Sequence, residues 1–394
     1  MNIAFCHNFY QQPGGEDRVF WDESEMMRQA GHNVMTYTRD NDEISSLSKA
    51  QMATKTFWNR EVLSDLASKF KTFKPDIVHF HNTFPLISPS AYQAAHRSGA
   101  AVIQSLHNYR WICPNGNLIY KGKICETCVK KTVALPAIYR KCYRNSAIAT
   151  AVTTGMLAYH KTRKTLNKWV NRFIALTDFC KTKFVQGGFD PQKISVKQNF
   201  VSNPVVKNTK TVRPKNACFV GRLNDEKGVR FLLDAWREGK HDIVLNIAGD
   251  GPLKQKVKDA ASETKNIVYH GQLDHHQTLD LIANATVQIV PSLYYEPFGL
   301  VVIEAFSAAT PVIASRLGSL ADLVSHEHDG MLFSANDQVD LNEKLIAFFS
   351  DSQQHESYQR NALQTFHSKF TKEKNLELLL SIYDQAIAER KIND

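Results

Sequence analysis

Short apolar segments alternate with amphipathic ones twice over, and this leaves the chain few folds to choose from. Segments 2–6, 33–37, 76–80, 101–106, 173–176 and 194–198 are apolar or β-branched, as parallel strands buried on both faces are. Between them, 17–30, 61–73 and 88–97 carry helical periodicity. A polar, basic run with two prolines, 202–216, interrupts the pattern. It resumes with strands at 217–220, 243–248, near 268–269, 287–290 and 311–315, and with helices at 277–283, 300–309 and 318–324. Residues 339–391 are helical by pattern. The expected class is α/β: two doubly wound domains, 1–202 and 203–375, and a last helix over 376–394. At 394 residues the chain is too long for one ordinary domain and suits two. Ligands of such sheets sit beyond the carboxyl ends of the strands, so the loops leaving the strands are where chemistry is sought.

The most informative loop lies in 291–311, PSLYYEPFGLVVIEAFSAATP. Pro297 and Gly299 open a helix whose single charge is Glu304. A helix that is otherwise apolar is normally buried, and a buried carboxylate needs hydrogen bonds or a counter-charge. Glu296 precedes the helix N-terminus, where free N–H groups and the helix dipole favour an anion such as phosphate. After the strand at 217–220, Arg222 and Lys227 stand in GRLNDEKG, ahead of another helix. A guanidinium fork and an ammonium there suit a diphosphate, although a pair of surface charges would read the same way. Gly249-Asp250-Gly251-Pro252 makes a tight strand-to-helix turn, and Gly14-Gly15 lies between the first strand and its helix. His79 and His81 share one face of the third strand by alternation, and His107 ends the fourth.

EPFGLVVIEA resembles the Glu-x7-Glu motif of glycosyltransferase family 4, the retaining sugar-nucleotide transferases of GT-B fold. VGRLNDEKG is similar to that family's Gly-Arg-Leu…Lys-Gly segment, and LHNYRWICPNG to its polysaccharide-assembly members. The resemblance spans essentially the whole chain. It implies two Rossmann-like domains facing across a cleft, with a nucleotide sugar, a UDP-sugar above all, held mostly by the second. It implies that Glu304 binds the ribose hydroxyls, that Glu296 binds the transferred sugar, and that Arg222 and Lys227 meet the leaving diphosphate. Phe298, Gly299, Leu300, Gly249, Gly14, Gly15 and His81 would line the ligands, and His107 would be the active-site histidine. No metal cofactor is expected, because cations and a helix N-terminus do the electrostatic work. The acceptor would be a glycan or a lipid-linked sugar in bacterial surface-polysaccharide synthesis. The alternatives are a sugar-nucleotide epimerase of the same fold, which needs more carboxylates than are evident, and a non-catalytic nucleotide-sugar or polyanion binder.

Residues 110–172 stand apart. The net charge of the chain is +9, and residues 1–200 hold 27 Lys/Arg against 14 Asp/Glu, whereas 201–394 hold 21 against 25. Within 110–172 there are 13 Lys/Arg and one acid, Glu126, interleaved with Trp111, Tyr120, Tyr139, Tyr143, Tyr159 and Trp169. Basic residues mixed with interfacial aromatics fit an anionic membrane surface, and no nucleic-acid motif accompanies them. No apolar run is long enough to span a bilayer, and the first residues lack the charged and apolar regions of a signal peptide. The expected location is therefore cytoplasmic, peripheral on the inner face of the plasma membrane. Cys113, Cys125, Cys128 and Cys142 in the same region admit a structural four-thiolate zinc site or buried free thiols. Their irregular spacing favours thiols.

Overall fold

A computed structural model of the chain describes residues 1–12, 14–202, 214–239 and 242–393. It divides into two compact units. The first comprises Met1–Leu118, Cys125–Gln198 and Asn375–Asp394, and the second Ile119–Ile124 and Asn199–Lys374. Most of the junction expected at 202–216 lies outside the described residues.

The first unit is built on six strands, β1 (Asn2–Phe9), β2 (Asn33–Asp40), β3 (Ile77–Asn82), β4 (Ala101–Ser105), β7 (Arg172–Ala175) and β8 (Ile194–Val196). All pair parallel, in the order β2-β1-β3-β4-β7-β8. Helices α1 (Gly15–Gln29), α2 (Lys49–Phe57), α3 (Arg60–Phe73), α4 (Ser90–Arg97), α5 (Leu135–Tyr139), α6 (Ala147–Thr162), α7 (Thr165–Trp169) and α8 (Asp178–Gln186) connect them. The antiparallel hairpin β5 (Ile119–Tyr120) and β6 (Lys123–Ile124) interrupts this run of chain and is counted with the second unit. β3 and β4 are buried at every position, as a central parallel strand must be when helices cover both its faces. β1 runs three residues past the expected end at 6, because Asn8 and Phe9 continue its pairing with β2. This extension carries His7 and Asn8 to the carboxyl edge of the sheet. Strand order reverses between β1 and β3, the switch point at which open sheets bind ligands.

The second unit repeats the plan with β9 (Asn216–Val220), β10 (Val244–Ala248), β11 (Ile267–Tyr269), β12 (Val287–Val290), β13 (Val312–Ser315) and β14 (Gly330–Phe333). The order β11-β10-β9-β12-β13-β14, all parallel, is that of a dinucleotide-binding sheet, with its switch between β9 and β12. Its helices are α9 (Val229–Glu238), α10 (Lys254–Glu263), α11 (His275–Asn284), α12 (Leu300–Ser307), α13 (Ser319–Leu323), α14 (Gln338–Ser350) and α15 (Ser352–Lys369). α16 (Lys372–Asn393) follows, and its residues from Asn375 onward belong to the first unit. Trp236, Leu245, Ile247, Ile289, Phe333 and Phe348 lie in the core of the second unit. Two features escape the sequence pattern. β14 is a four-residue strand that sequence reading leaves unassigned, and the helical stretch 339–391 is divided among α14, α15 and α16, the last beginning at Lys372 rather than 376. Asp351 ends α14 and caps α15, its carboxylate accepting from the N–H groups of Gln353 and Gln354.

Gly249 shows how closely the turns are packed. Its φ is +143°, and a Cβ there would lie 1.9 Å from the carbonyl oxygen of Gly221. No flexible side chain stands there to yield, so β9 and β10 would have to part. Gly249→Ala is expected to destabilise the second unit by on the order of 2–3 kcal/mol, read from the urea midpoint of the whole chain. An unchanged midpoint would show that this turn is not under the constraint described.

Candidate active site

In the second unit Lys227 and Glu296, both singled out from sequence, meet at the β9/β12 switch. Lys227 is carried on the loop after β9, where its N–H donates to Asn224 Oδ1 at 2.9 Å. The loop after β12 carries Glu296, and the two loops are tied by the Leu293 N–H donating to the Glu226 carbonyl at 2.8 Å. The Lys227 ammonium meets both carboxylate oxygens of Glu296, at 2.7 and 2.9 Å. The hydroxyl of Ser292 donates to the same carboxylate. Lys227 also stands 5.6 Å from the ring centre of Tyr294, a cation–π contact. Burial disfavours the charge on Lys227, but the Glu296 carboxylate and Tyr294 outweigh it and hold the ammonium above the ordinary lysine range. Burial raises the Glu226 carboxyl, against the pull of Arg222 and Lys227. Arg222 itself is exposed and directly follows the close turn at Gly221.

Gly299 is the N-cap of α12 and Leu300 its half-buried first residue. Glu304 is buried on that helix, and the Ser307 hydroxyl donates to its carbonyl at 2.7 Å. Phe298 departs from expectation. Its ring is buried against Phe370, with centroids 6.4 Å apart, so this side chain packs the unit rather than lining a ligand. Gly249 closes β10, with its N–H donating to the Gly271 carbonyl at 2.8 Å. Gly228, missed from sequence, matters more for the site. With φ +74° and a would-be Cβ 2.0 Å from the Pro291 carbonyl oxygen, it lets the Lys227 and Glu296 loops touch.

In the first unit a second polar cluster forms at the β1/β3 switch. His79 and His81 lie on one face of β3, as alternation requires, with ring centres 4.5 Å apart. His81 Nδ1 and His107 Nε2 are 2.9 Å apart, and the two rings stack at 5.0 Å. His81, His107, Asn82, Thr83, Asn108 and Trp111 line one cavity. Burial, with charges of His7 and Lys197 nearby, pushes His107 down to about 3. Burial also drives His81 well below its usual range, with His79 adding to the effect. Both are neutral imidazoles near pH 7. Gly14 is the extended N-cap of α1, with open space where a Cβ would be, and its N–H donates to Asp17 Oδ2 at 2.8 Å. Gly15 is the first residue of that helix rather than part of a loop.

Sequence reading missed Glu23 and Lys197, which form a wholly buried ion pair at 2.7 Å beside His79 and His81. The signal was present. Glu23 sits at helical spacing in the buried stripe Val19, Phe20, Glu23, Met26, Met27, just as Glu304 sits in α12. None of the four cysteines of the basic segment is in a disulfide. Cys128 packs with Ala134, Ala137 and Cys142, while an Arg140 N–H donates to Cys125 Sγ at 3.2 Å. The four thiols lie near enough to act on one another: burial raises Cys128, and Cys113, Cys125 and Cys142 add to the shift. Among the described residues, the one trio of potential metal ligands mutually within 4.8 Å is Glu23, His79 and His81.

Two parallel six-stranded α/β units, each with a polar cluster at its switch point, define the GT-B class of sugar-nucleotide enzymes. Sequence comparison agrees. The model described as Glycosyltransferase Family 4 matches residues 13–203, and that described as Glycosyl transferases group 1 matches residues 205–365. The chain belongs to the family 4 glycosyltransferases. An uncharacterized glycosyltransferase of Methanocaldococcus jannaschii is 30% identical over 158 residues, 38% of this chain and 40% of that protein. An uncharacterized protein in the cps region of Klebsiella pneumoniae is 25% identical over 71% of this chain and 69% of its own length. The chain thus spans 40% and 47% of the length of the first two curated relatives it matches. Among solved structures, Anabaena HepE in complex with UDP superposes with a TM-score of 0.69 at 16% identity, covering 98% of this chain and all of that one (100%). Sucrose-phosphate synthase of Thermosynechococcus elongatus gives 0.71 at 17%, covering 98% and 99%. At these identities the likeness is one of fold.

The buried histidines make stability depend on acid. Below about pH 6.5 an unfolded histidine binds a proton that buried His107 refuses until about pH 3. The unfolded state therefore holds more protons across that window, and stability falls as pH is lowered through it. Each such histidine adds up to about 1.4 kcal/mol per pH unit to the slope. His107→Asn should flatten the urea-midpoint profile between pH 6 and pH 4 by roughly one such increment. A profile identical to that of the unaltered chain would contradict a neutral, buried His107.

Proposed function

We propose that this chain transfers a sugar from a nucleoside-diphosphate donor, a UDP-sugar, to a glycan or lipid-linked acceptor in the synthesis of a bacterial surface polysaccharide. The observation that carries this reading is the Lys227–Glu296 pair at the β9/β12 switch, on two loops of which one also carries exposed Arg222 and the other leads into α12. As a donor binds, Lys227 turns its remaining N–H groups to the diphosphate. Arg222 forks across that group, and the free N–H groups of α12 face it. Glu304 accepts from the ribose hydroxyls, and Glu296 from a hydroxyl of the sugar. In the reaction the bond from the anomeric carbon to the diphosphate oxygen breaks, and the nucleoside diphosphate leaves with the electron pair. The acceptor hydroxyl oxygen bonds to the same face of the carbon, so configuration is retained. The hydroxyl proton passes to the departing diphosphate. Arg222, Lys227 and the helix end neutralise the negative charge that grows on the leaving group, the work a divalent ion would otherwise do. His107, in the first unit, holds a hydroxyl of the acceptor.

The HepE structures with UDP and with UDP and glucose support a uridine donor, and the Klebsiella cps-region relative supports a polysaccharide setting. The membrane side of the proposal rests on α5 and α6. Leu135 is 64% exposed, Tyr139 91% and Ile148 73%. Arg140, Lys141 and Arg144 lie in the same stretch of chain. Exposed apolar side chains among cations suit the headgroup boundary of an anionic bilayer, where a lipid-linked acceptor is presented. No helix among the described residues is long and apolar enough to cross a membrane.

A panel of UDP-, GDP- and ADP-sugars in EDTA, with a membrane-lipid extract as acceptor, tests the reaction. Nucleotide release is expected from one donor and only with the extract. Glu296→Gln should lower it about 10²- to 10³-fold, and transfer at full rate would remove Glu296 from the site. Vesicle sedimentation tests the membrane surface separately. Leu135→Asp with Ile148→Asp should abolish binding to anionic vesicles while leaving binding of the soluble donor intact. Equal sedimentation of both proteins would refute this surface.

A further inference from the structure

The first unit holds a buried charge that the reaction above does not use. Glu23 of α1 is buried, and Lys197, just after β8, donates to its Oε1 at 2.7 Å. Lys197 also donates to Asn375 Oδ1 at 3.0 Å. The other carboxylate oxygen, Oε2, is buried without a hydrogen-bond partner, and so is His81 Nε2. These two atoms face each other at 3.5 Å. On its far side, His81 Nδ1 meets His107 Nε2 at 2.9 Å. His107 borders the cavity, and its remaining nitrogen, Nδ1, makes no hydrogen bond among the described residues.

Donor and acceptor rules fix the protons along this row. A carboxylate paired with an ammonium only accepts, so His81 Nε2 must carry the hydrogen that faces it. A neutral imidazole has one N–H, so His81 Nδ1 is bare and accepts. The hydrogen between the rings therefore belongs to His107 Nε2. His107 has then spent its single N–H, and Nδ1 is left with a free lone pair. The low proton affinity that burial gives His81 and His107 keeps both rings neutral, as the row requires. A metal ion among Glu23, His79 and His81 is the competing reading of this cluster. The Lys197 ammonium already occupies the cation position on Glu23, and both nitrogens of His79 are engaged at 2.8 Å, by the hydroxyls of Tyr383 and Ser105.

We propose that Glu23 is a positioning residue: acting through His81, it fixes the proton of His107 on Nε2 and presents Nδ1 as a bare hydrogen-bond acceptor for a hydroxyl of the acceptor sugar. This rests on the reading of His107 as an acceptor-facing group. The orientation matters because a hydroxyl about to attack is made more nucleophilic by donating its hydrogen bond, and less so by accepting one.

Glu23→Gln tests it without unpairing Lys197. The amide oxygen still accepts from Lys197, while the amide N–H₂ faces His81 Nε2 and reverses every donor in the row. Nitrogen-15 histidine NMR of the whole chain, with His107→Asn used for assignment, reads the tautomer directly. The unaltered chain should show His107 protonated at Nε2, and Glu23→Gln should move the proton to Nδ1. The same variant should lose roughly tenfold or more in kcat at unchanged donor KM. If Glu23→Gln folds poorly, Glu23→Gln combined with Lys197→Met removes the buried ammonium and gives the same tautomer readout. A His107 proton on Nδ1 in the unaltered chain, or one that does not move in either variant, overturns the proposal. Reversal of the tautomer in a chain that transfers no sugar would uphold the relay and strike only the reading of function.

Discussion

A parallel sheet covered by helices on both faces gives polar side chains only one place to emerge, beyond the strand ends. Both units obey this constraint, and the rest of each site depends on it. β3, β4, β12 and β13 are buried at every position, yet His107 and Glu296 lie on the segments that follow such strands. Because strand order reverses once in each sheet, two neighbouring loops diverge there and open a crevice. Lys227 and Glu296 stand on the two loops of one reversal, and His7 and His81 at the other. The chemistry of each site is thus a property of the winding before it is a property of particular residues.

The same pair of groups is used in two ways. Lys227 and Glu296 form an ion pair at the rim, where the lysine keeps 27% of its side chain exposed. Lys197 and Glu23 form one with no exposure, and its ammonium is committed to Glu23 and Asn375. Truncating one partner of a buried pair strands the other, a loss of about 3–5 kcal/mol, so the second pair fixes geometry rather than meeting ligands. Its service to function is indirect, through the proton order of the histidines.

Most of the architecture could be read from sequence because burial on both faces writes itself into composition. Eleven strand segments were expected and each corresponds to an observed strand. β14 was overlooked because Gly330-Met331-Leu332-Phe333 is short and begins with glycine, which carries no strand propensity. The meeting of Lys227 and Glu296 was legible because both stand on loops that leave the neighbouring strands β9 and β12. The Phe298 ring packs on Phe370, and spacing alone does not separate a packing position from a binding one in the same loop. Glu23 was visible as a charge in an apolar stripe, but Lys197 was not. Its partner lies 174 positions away, and nothing local in a sequence records so distant a pairing.

The histidine row is finished from far along the chain. Asn375 and Tyr383, both on α16, hold Lys197 and His79 respectively. Every other member of the cluster has been made by residue 197. During synthesis, therefore, the first unit can assemble its sheet long before its buried polar network is satisfied. For the time needed to translate the whole second unit, Lys197 lacks one of its acceptors and His79 one of its two hydroxyl partners. The order of events on the ribosome thus places completion of the histidine cluster after the second unit's sheet has been made.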